Sequence, residues 1–233
     1  IHAALNRWAE SDAVDATDPL QIKHVVERAF DEAVSETFDE EPLPAVKLQL
    51  EQARLRLKAF AEWQALHRRA GWQLKHYEKK ASYRMPLPNG STIEIHGRID
   101  RVDYHPTTRE WLIIDYKTGD AAEGPDKVHL QNGMWVDLQL PLYRLLAPDL
   151  GVQGEPGVAY VTLGKDPSGD PGDLLKPAKW SPDQLASADA EIRRIAEAVA
   201  AQDFWTPAKE PPRYDDFACI LQEGVFGREA FTP

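Results

Sequence analysis

At about residue 73 the spacing of apolar residues changes from a helical repeat to strict alternation, and that switch constrains the fold more than any other feature of the chain. The segments "QLKHYEKKASYRMPL", "STIEIHGRIDRVDY" and "EWLIIDYK" predict three strands. The turns between them, "PNGS" and "HPTTR", are short enough to make the three an antiparallel meander. Upstream, residues 1–71 read as helix. "HAALNRWAE" places Leu5 and Trp8 on one stripe with Ile1, and "DPLQIKHVVERAFDEAVSETF" repeats the stripe with Ile22, Val25, Val26, Ala29 and Phe30 behind an Asp18 cap and Pro19. Pro42 and Pro44 interrupt the pattern, and "AVKLQLEQARLRLKAFAEWQALHRRAG" then makes a long amphipathic helix that Gly71 ends. These helices are expected as an insertion or a cap beside the sheet.

Downstream, "MWVDLQLPLYRLLA" predicts a helix, "GVAYVTL" a buried strand and "GKDPSGDPGD" a loop. A last helix, "SPDQLASADAEIRRIAEAVAAQ", starts from a Ser181 cap with Pro182 at its first position, and the tail is irregular. With no internal repeat, the 233 residues read as a single α/β domain in which a mixed central sheet is flanked by helices. Its parts are a helical portion (1–71), a sheet and helix (72–165) and a C-terminal helix and tail (166–233).

The predicted strands carry Asp100, Asp115 and Lys117 among apolar residues, where an unpaired charge is expensive to bury. Side chains alternate along a strand, so Asp115 and Lys117 point one way and Tyr116 the other. Asp100 shares a face with His96 and Arg98, opposite Ile93, Ile95 and Ile99, and pairing of the two strands would set it across from Asp115. Two carboxylates that close repel unless something doubly positive sits between them. Mg²⁺ takes such oxygen ligands, usually through one or two carboxylates with waters and a substrate phosphate. An ammonium beside it, here Lys117, can orient a water for attack and stabilise charge developing on phosphate. The plainer reading is a salt-bridge network, Asp115 to Lys117 or Asp100 to Arg98. It is weakened by the second acid one hairpin upstream and by the apolar setting of both.

"GRIDRVD", then "IIDYKTG", then "QLPLY", in this order and at this spacing, resemble the nuclease module of the RecB and AddB type, within the PD-(D/E)XK superfamily. The resemblance covers residues 1 to about 147 well and the tail faintly. It implies a restriction-endonuclease-like core in which Asp100 and Asp115 are metal ligands, the backbone carbonyl of Tyr116 is a further ligand, and Lys117 is the catalytic lysine. The family also carries a histidine early in its first helix. "IHAALNRW" supplies it as His2 with Leu5, and "IKHVVERAF" offers His24 as a rival that fits nearly as well. His2 is favoured because the family's second helix begins where His24 sits. Gln139 and Tyr143 stand four apart on one helix face. In the resembling nucleases such a pair lies beside the active site and positions substrate or catalytic groups, whereas without the upstream motifs it would read as a helix packing its tyrosine. Glu78 matches an acid often seen on the preceding strand, against a solvated "EKK" charge run.

What the resemblance implies is a Mg²⁺-dependent DNA exonuclease, with Mn²⁺ substituting, that acts on single strands beside a helicase in DNA repair and recombination and leaves 5′-phosphate ends. The rival is a catalytically silent nuclease-fold module for DNA binding or docking in a helicase–nuclease complex. All three charged residues are present, which disfavours a decayed site. A hydrolase of small phosphate esters is disfavoured too, since no small-molecule pocket motif accompanies the acids. No Gly-rich phosphate-binding loop is present, so an ATPase motor must lie elsewhere.

The formal charge of −11 argues against a non-specific nucleic-acid coat, because phosphate affinity comes mostly from Lys and Arg. It does not argue against an enzyme whose carboxylates are neutralised by divalent ions. The single cysteine, Cys219, excludes an internal disulfide and cannot alone hold zinc or an iron–sulfur cluster. Many members of the resembling branch close the domain with a cysteine-ligated [4Fe–4S] centre. Here no iron–sulfur cluster is expected, and Tyr214, Phe217 and Ile220 would hold the tail by apolar packing. No apolar run reaches the roughly 18 residues of a membrane span and no signal peptide is recognisable, so no membrane partner is expected and the default location is cytoplasmic. The chain opens on "IHAALNRW" without an initiator Met, which predicts a fragment of a longer protein.

Overall fold

The structure, a computed structural model, describes residues 1–38, 42–119, 123–164 and 169–203. Cys219 and the tail residues Tyr214, Phe217 and Ile220 lie outside them. Residues 1–196 form one unit, and the described part of a second, residues 197–203, is the end of the last helix and the three residues after it.

Three helices come first, α1 (His2–Ala9), α2 (Pro19–Thr37) and α3 (Pro44–Arg69). The Asp18 side chain accepts from Leu20 N at 2.9 Å and caps α2, with Pro19 at the position where a missing N–H costs nothing. Pro44 does the same for α3, and Gly71, at φ +105°, takes the left-handed turn after it. The meander follows as β1 (Gln73–Pro86), β2 (Thr92–His105) and β3 (Glu110–Lys117). Then come α4 (Pro125–His129), a small ribbon of β4 (Leu130–Gln131) and β5 (Met134–Trp135), and α5 (Gln139–Leu146). The chain continues as β6 (Gly157–Thr162), β7 (Leu175–Pro177) and α6 (Pro182–Ala200). Ser181 and Gln184 exchange hydrogen bonds, Gln184 N to Ser181 Oγ and Ser181 N to Gln184 Oε1, in a capping box before α6.

The main sheet has the order β1-β2-β3-β6-β7. All its pairs are antiparallel except β3 with β6, which is parallel and sets Ile113 beside Val158 and Asp115 beside Tyr160. One face packs Leu112, Ile114, Tyr116, Ala159 and Val161 on α1–α3 through Leu5, Trp8, Ile22, Phe30 and Phe60. Another core joins Val102, Ile113, Val158 and Tyr160 to Leu140, Tyr143 and Leu146 of α5. The N-terminal helices are thus a layer of the core rather than an insertion beside it.

Two local expectations change. Met134 and Trp135 are not helical. Asn132 and Gly133, at φ +52° and +78°, form a two-residue turn that folds them back as β5, and α5 begins only at Gln139. Residues 175–177, unassigned in the sequence, pair with β6 as an edge strand.

The helical layer also covers a buried polar group. Arg101 donates from Nε to Asp103 Oδ1 at 2.7 Å, and from Nη1 to Gln64 Oε1 at 2.8 Å and Tyr116 Oη at 3.0 Å. His67 Nε2 donates to Asp103 Oδ2 at 2.8 Å. The guanidinium lies 5.5 Å from the Trp8 ring and 5.3 Å from that of Trp63, close enough for both aromatic faces to share its charge.

Candidate active site

Lys117 O accepts from Leu163 N at 2.8 Å, so the backbone of Lys117 faces β6 and that of Tyr116, one residue back, faces β2. The β2–β3 ladder ends at the pair Arg101–Ile114. Beyond it, Tyr116 N donates to Asp100 Oδ2 at 3.0 Å, and the Tyr116 carbonyl lies past the last ladder pair. Buried Arg101 holds the Tyr116 ring through its hydroxyl and so fixes the peptide from the far side of the sheet.

Lys117 Nζ lies 2.8 Å from Asp115 Oδ2 and donates to Gln139 Oε1 at 2.9 Å, while Gln139 Nε2 donates to Tyr143 Oη at 3.0 Å. The predicted Gln-x-x-x-Tyr face of α5 therefore turns toward the predicted lysine. A contact that the sequence did not single out comes from β6, where the Tyr160 ring lies under the ammonium with its centroid 4.6 Å from Nζ. The signal available was the position of "GVAYVTL" as a buried strand, but which strand it would join was not readable.

Burial pushes the Asp115 carboxyl above its ordinary range, Lys117 opposes this, and the charge of Asp100 adds to it. Burial likewise raises Asp100, against the Tyr116 N–H and the field of His2, with Glu78 adding to the rise. Glu78 sits on β1 between the pairs Tyr77–Arg101 and Lys79–Ile99, which sets it opposite Asp100. Its φ of +44° is unusual for a side chain of this size, and Arg98 Nη1 donates to its carboxylate at 3.4 Å. Arg98 thus pairs with Glu78, not with Asp100 as the salt-bridge reading had it. Burial also pushes the Tyr143 hydroxyl up to about 12.

The two histidines part company. The His2 ring stands edge-on to Tyr116, with centroids 6.3 Å apart, and its charge would favour ionisation of both Asp100 and Asp115. His24 lies on the exposed side of α2, with no ion pair or hydrogen bond from its side chain among the described residues.

Asp115 is buried and Asp100 half-buried, and burial disfavours the charged form of both, so a cation placed here would compensate two charges that the sheet itself opposes. Asp115 Oδ2 has no hydrogen-bond donor, since its close approach to Lys117 Nζ lacks the angles of a hydrogen bond. The donor set of Asp100, Asp115 and the Tyr116 carbonyl is all oxygen, which suits a hard divalent ion. Among the described residues no three His, Cys, Asp or Glu side chains stand close enough to enclose a metal by themselves. The two aspartates and one carbonyl would leave the remaining positions of an octahedral ion to water and substrate.

The family model of the PD-(D/E)XK nuclease superfamily matches residues 1–219, and the chain belongs to that superfamily. Its fold, a five-stranded mixed sheet flanked by helices behind a helical N-terminus, is of that kind. Membership implies nuclease chemistry on DNA, and nucleases of the superfamily generally use divalent metal ions. No curated protein matches the chain significantly. No helix among the described residues is long and apolar enough to cross a membrane.

Proposed function

Taking membership of the PD-(D/E)XK nucleases as given, we propose that the chain is a Mg²⁺-dependent DNA exonuclease of the RecB and AddB type, acting on single strands beside a helicase in cytoplasmic DNA repair and recombination. The observation that carries the reading is the pair Asp100 and Asp115, a half-buried and a buried carboxylate whose charges oppose one another while Lys117 reaches between strand and helix beside them. Asp100, Asp115 and the Tyr116 carbonyl would hold the ion, with His2 at its margin. When bound, the ion would acidify water and neutralise charge on the phosphate. Lys117 orients the attacking water and stabilises the negative charge that builds on phosphorus. The water oxygen bonds to phosphorus, the bond to the 3′ oxygen breaks, and the products are a 5′-phosphate and a 3′-hydroxyl. Gln139 and Tyr143 hold Lys117 and the strand in register, and Glu78 faces Asp100 from the neighbouring strand. The whole chain, residues 1–233, would act as one nuclease domain.

One observation favours a second reading, a silent DNA-binding or docking module: Lys117 approaches Asp115 as it would in a purely structural ion pair. Degradation of end-labelled single-stranded and duplex DNA with Mg²⁺ or Mn²⁺ separates the two. Cleavage by the intact chain, lost in Asp115→Ala and Lys117→Ala with unchanged far-UV circular dichroism, supports the nuclease. No cleavage together with no Mn²⁺ binding by calorimetry supports the silent module.

A further inference from the structure

Lys117 is held from a direction that the three sequence motifs do not include. In the parallel register Tyr160 is the β6 neighbour of Asp115, and Lys117, two residues on along β3, leans back over its ring. Tyr160 is 1% exposed, so the ring face toward Nζ is screened from water and the attraction between ammonium and π-cloud is little weakened. The other end of the ring is tied down. Tyr160 Oη shares a hydrogen bond with Nε2 of the fully buried His129, and His129 Nδ1 bonds to the Asp137 carbonyl at 2.9 Å. A carbonyl can only accept, so Nδ1 carries the proton and Nε2 takes the hydrogen of Tyr160. Burial lowers the proton affinity of His129, which agrees with a neutral ring in this role. Asp137 closes the circuit, for its Oδ1 accepts from Gln139 N at 2.7 Å and so sets the residue that receives Lys117.

We infer that Tyr160, anchored by His129, is a positioning residue that fixes the Lys117 ammonium toward the phosphodiester. The inference rests on the nuclease reading. Nothing in the closed circuit of Lys117, Gln139, Asp137, His129 and Tyr160 requires the tyrosine hydroxyl to touch substrate. The ring acts on the lysine and the hydroxyl acts on the ring. The ammonium thus has three neighbours, Asp115 as an ion pair, Gln139 as a hydrogen-bond acceptor and the Tyr160 ring, and together they limit where it can swing.

The test compares Tyr160→Leu and Tyr160→Phe with the intact chain. Leucine fills the core without a π-face, whereas phenylalanine keeps the ring and loses only its tether. Tyr160→Leu is expected to lower kcat for Mg²⁺-dependent DNA cleavage about tenfold to thirtyfold, with KM and Mn²⁺ affinity by calorimetry unchanged, and Tyr160→Phe is expected to restore most of the rate. A second readout needs no activity. In the ¹⁵N-lysine-labelled chain, the Lys117 ammonium resonance, assigned by its loss in Lys117→Met, should be displaced upfield by the ring current and return to an ordinary position in Tyr160→Leu. A Tyr160→Leu enzyme within twofold of the intact kcat, or an ammonium resonance that ignores the substitution, would overturn the proposal. An intact chain that cuts no DNA yet keeps the displaced resonance would sink the nuclease reading and still support the placement of Lys117 by Tyr160.

Discussion

The Tyr116 amide donates to Asp100 Oδ2 at 3.0 Å, so a side-chain carboxylate takes the place of the backbone acceptor where the β2–β3 ladder stops. The two strands part there, and the acid of one strand meets the backbone of the next between buried Asp115 and partly exposed Lys117. Termination of pairing and assembly of the candidate site are therefore one event.

Removing one acid should separate function from stability. Because the folded-state affinity of Asp115 for a proton is raised, its charged form opposes folding at neutral pH, and that burden lifts as pH falls through the raised value. Asp115→Asn is expected to reduce cleavage by about 10²- to 10³-fold while raising the metal-free melting temperature at pH 7. Calorimetric scans in EDTA beside a cleavage assay would show it, and a lower melting temperature would count against the like-charge account.

Substitution at the two histidines should have unequal effects. His2→Ala is expected to weaken Mn²⁺ binding about tenfold in titration calorimetry, since the ring stands at Tyr116 and its charge reaches both aspartates. His24→Ala should leave the isotherm unchanged.

Arg101→Met should cost about 3–5 kcal/mol in urea unfolding, because it leaves Asp103 buried with its main counter-charge gone. Arg101→Met combined with Asp103→Leu should recover much of that loss. If the double variant is no more stable than the single, the carboxylate is not the source of the penalty.

Through its buried histidines, acid should weaken the fold beginning at mild pH. Burial lowers the pKa of His67 and of His129 below 6.5, so the unfolded chain binds protons first as pH falls. Stability from these rings is complete above about 6.5 and is lost progressively toward their lower folded values. Asp103, held low by Arg101 against the effect of burial, adds a loss of the same sign at more acidic pH. In Asp100→Asn combined with Asp115→Asn, which removes the opposite contribution of the two raised carboxyls, melting temperatures from pH 8 to pH 5 should fall, and adding His67→Gln should flatten the upper part of that slope.

Local chemistry made much of this molecule legible in advance. Asp18, Pro19, Pro44 and Ser181 mark helix starts through groups that act within a turn of where they stand, and period-two alternation marked β1–β3. The acids and lysine stood out because charge in an apolar strand is costly anywhere. Tyr160 and His129 did not, because an aromatic in a buried strand and a histidine before a turn look ordinary until the parallel register of β6 brings them together. The ribbon at Asn132–Gly133 carried a signal, the Asn-Gly pair, that the apolar run after it obscured.

The parallel pairing of β3 with β6 also sets an order in time. The meander can close as soon as it is made, since its turns are short, but Tyr160 reaches Asp115 only after the chain has crossed back through residues 118–156. Contacts so distant in sequence must first close a long loop, which slows folding. A chain still being synthesised therefore displays Asp100, Asp115 and Lys117 before Gln139 and Tyr160 exist to hold the lysine. Until translation has passed β6, the strands that carry these residues lack the helix and the partner strand that hold Lys117 in the finished fold.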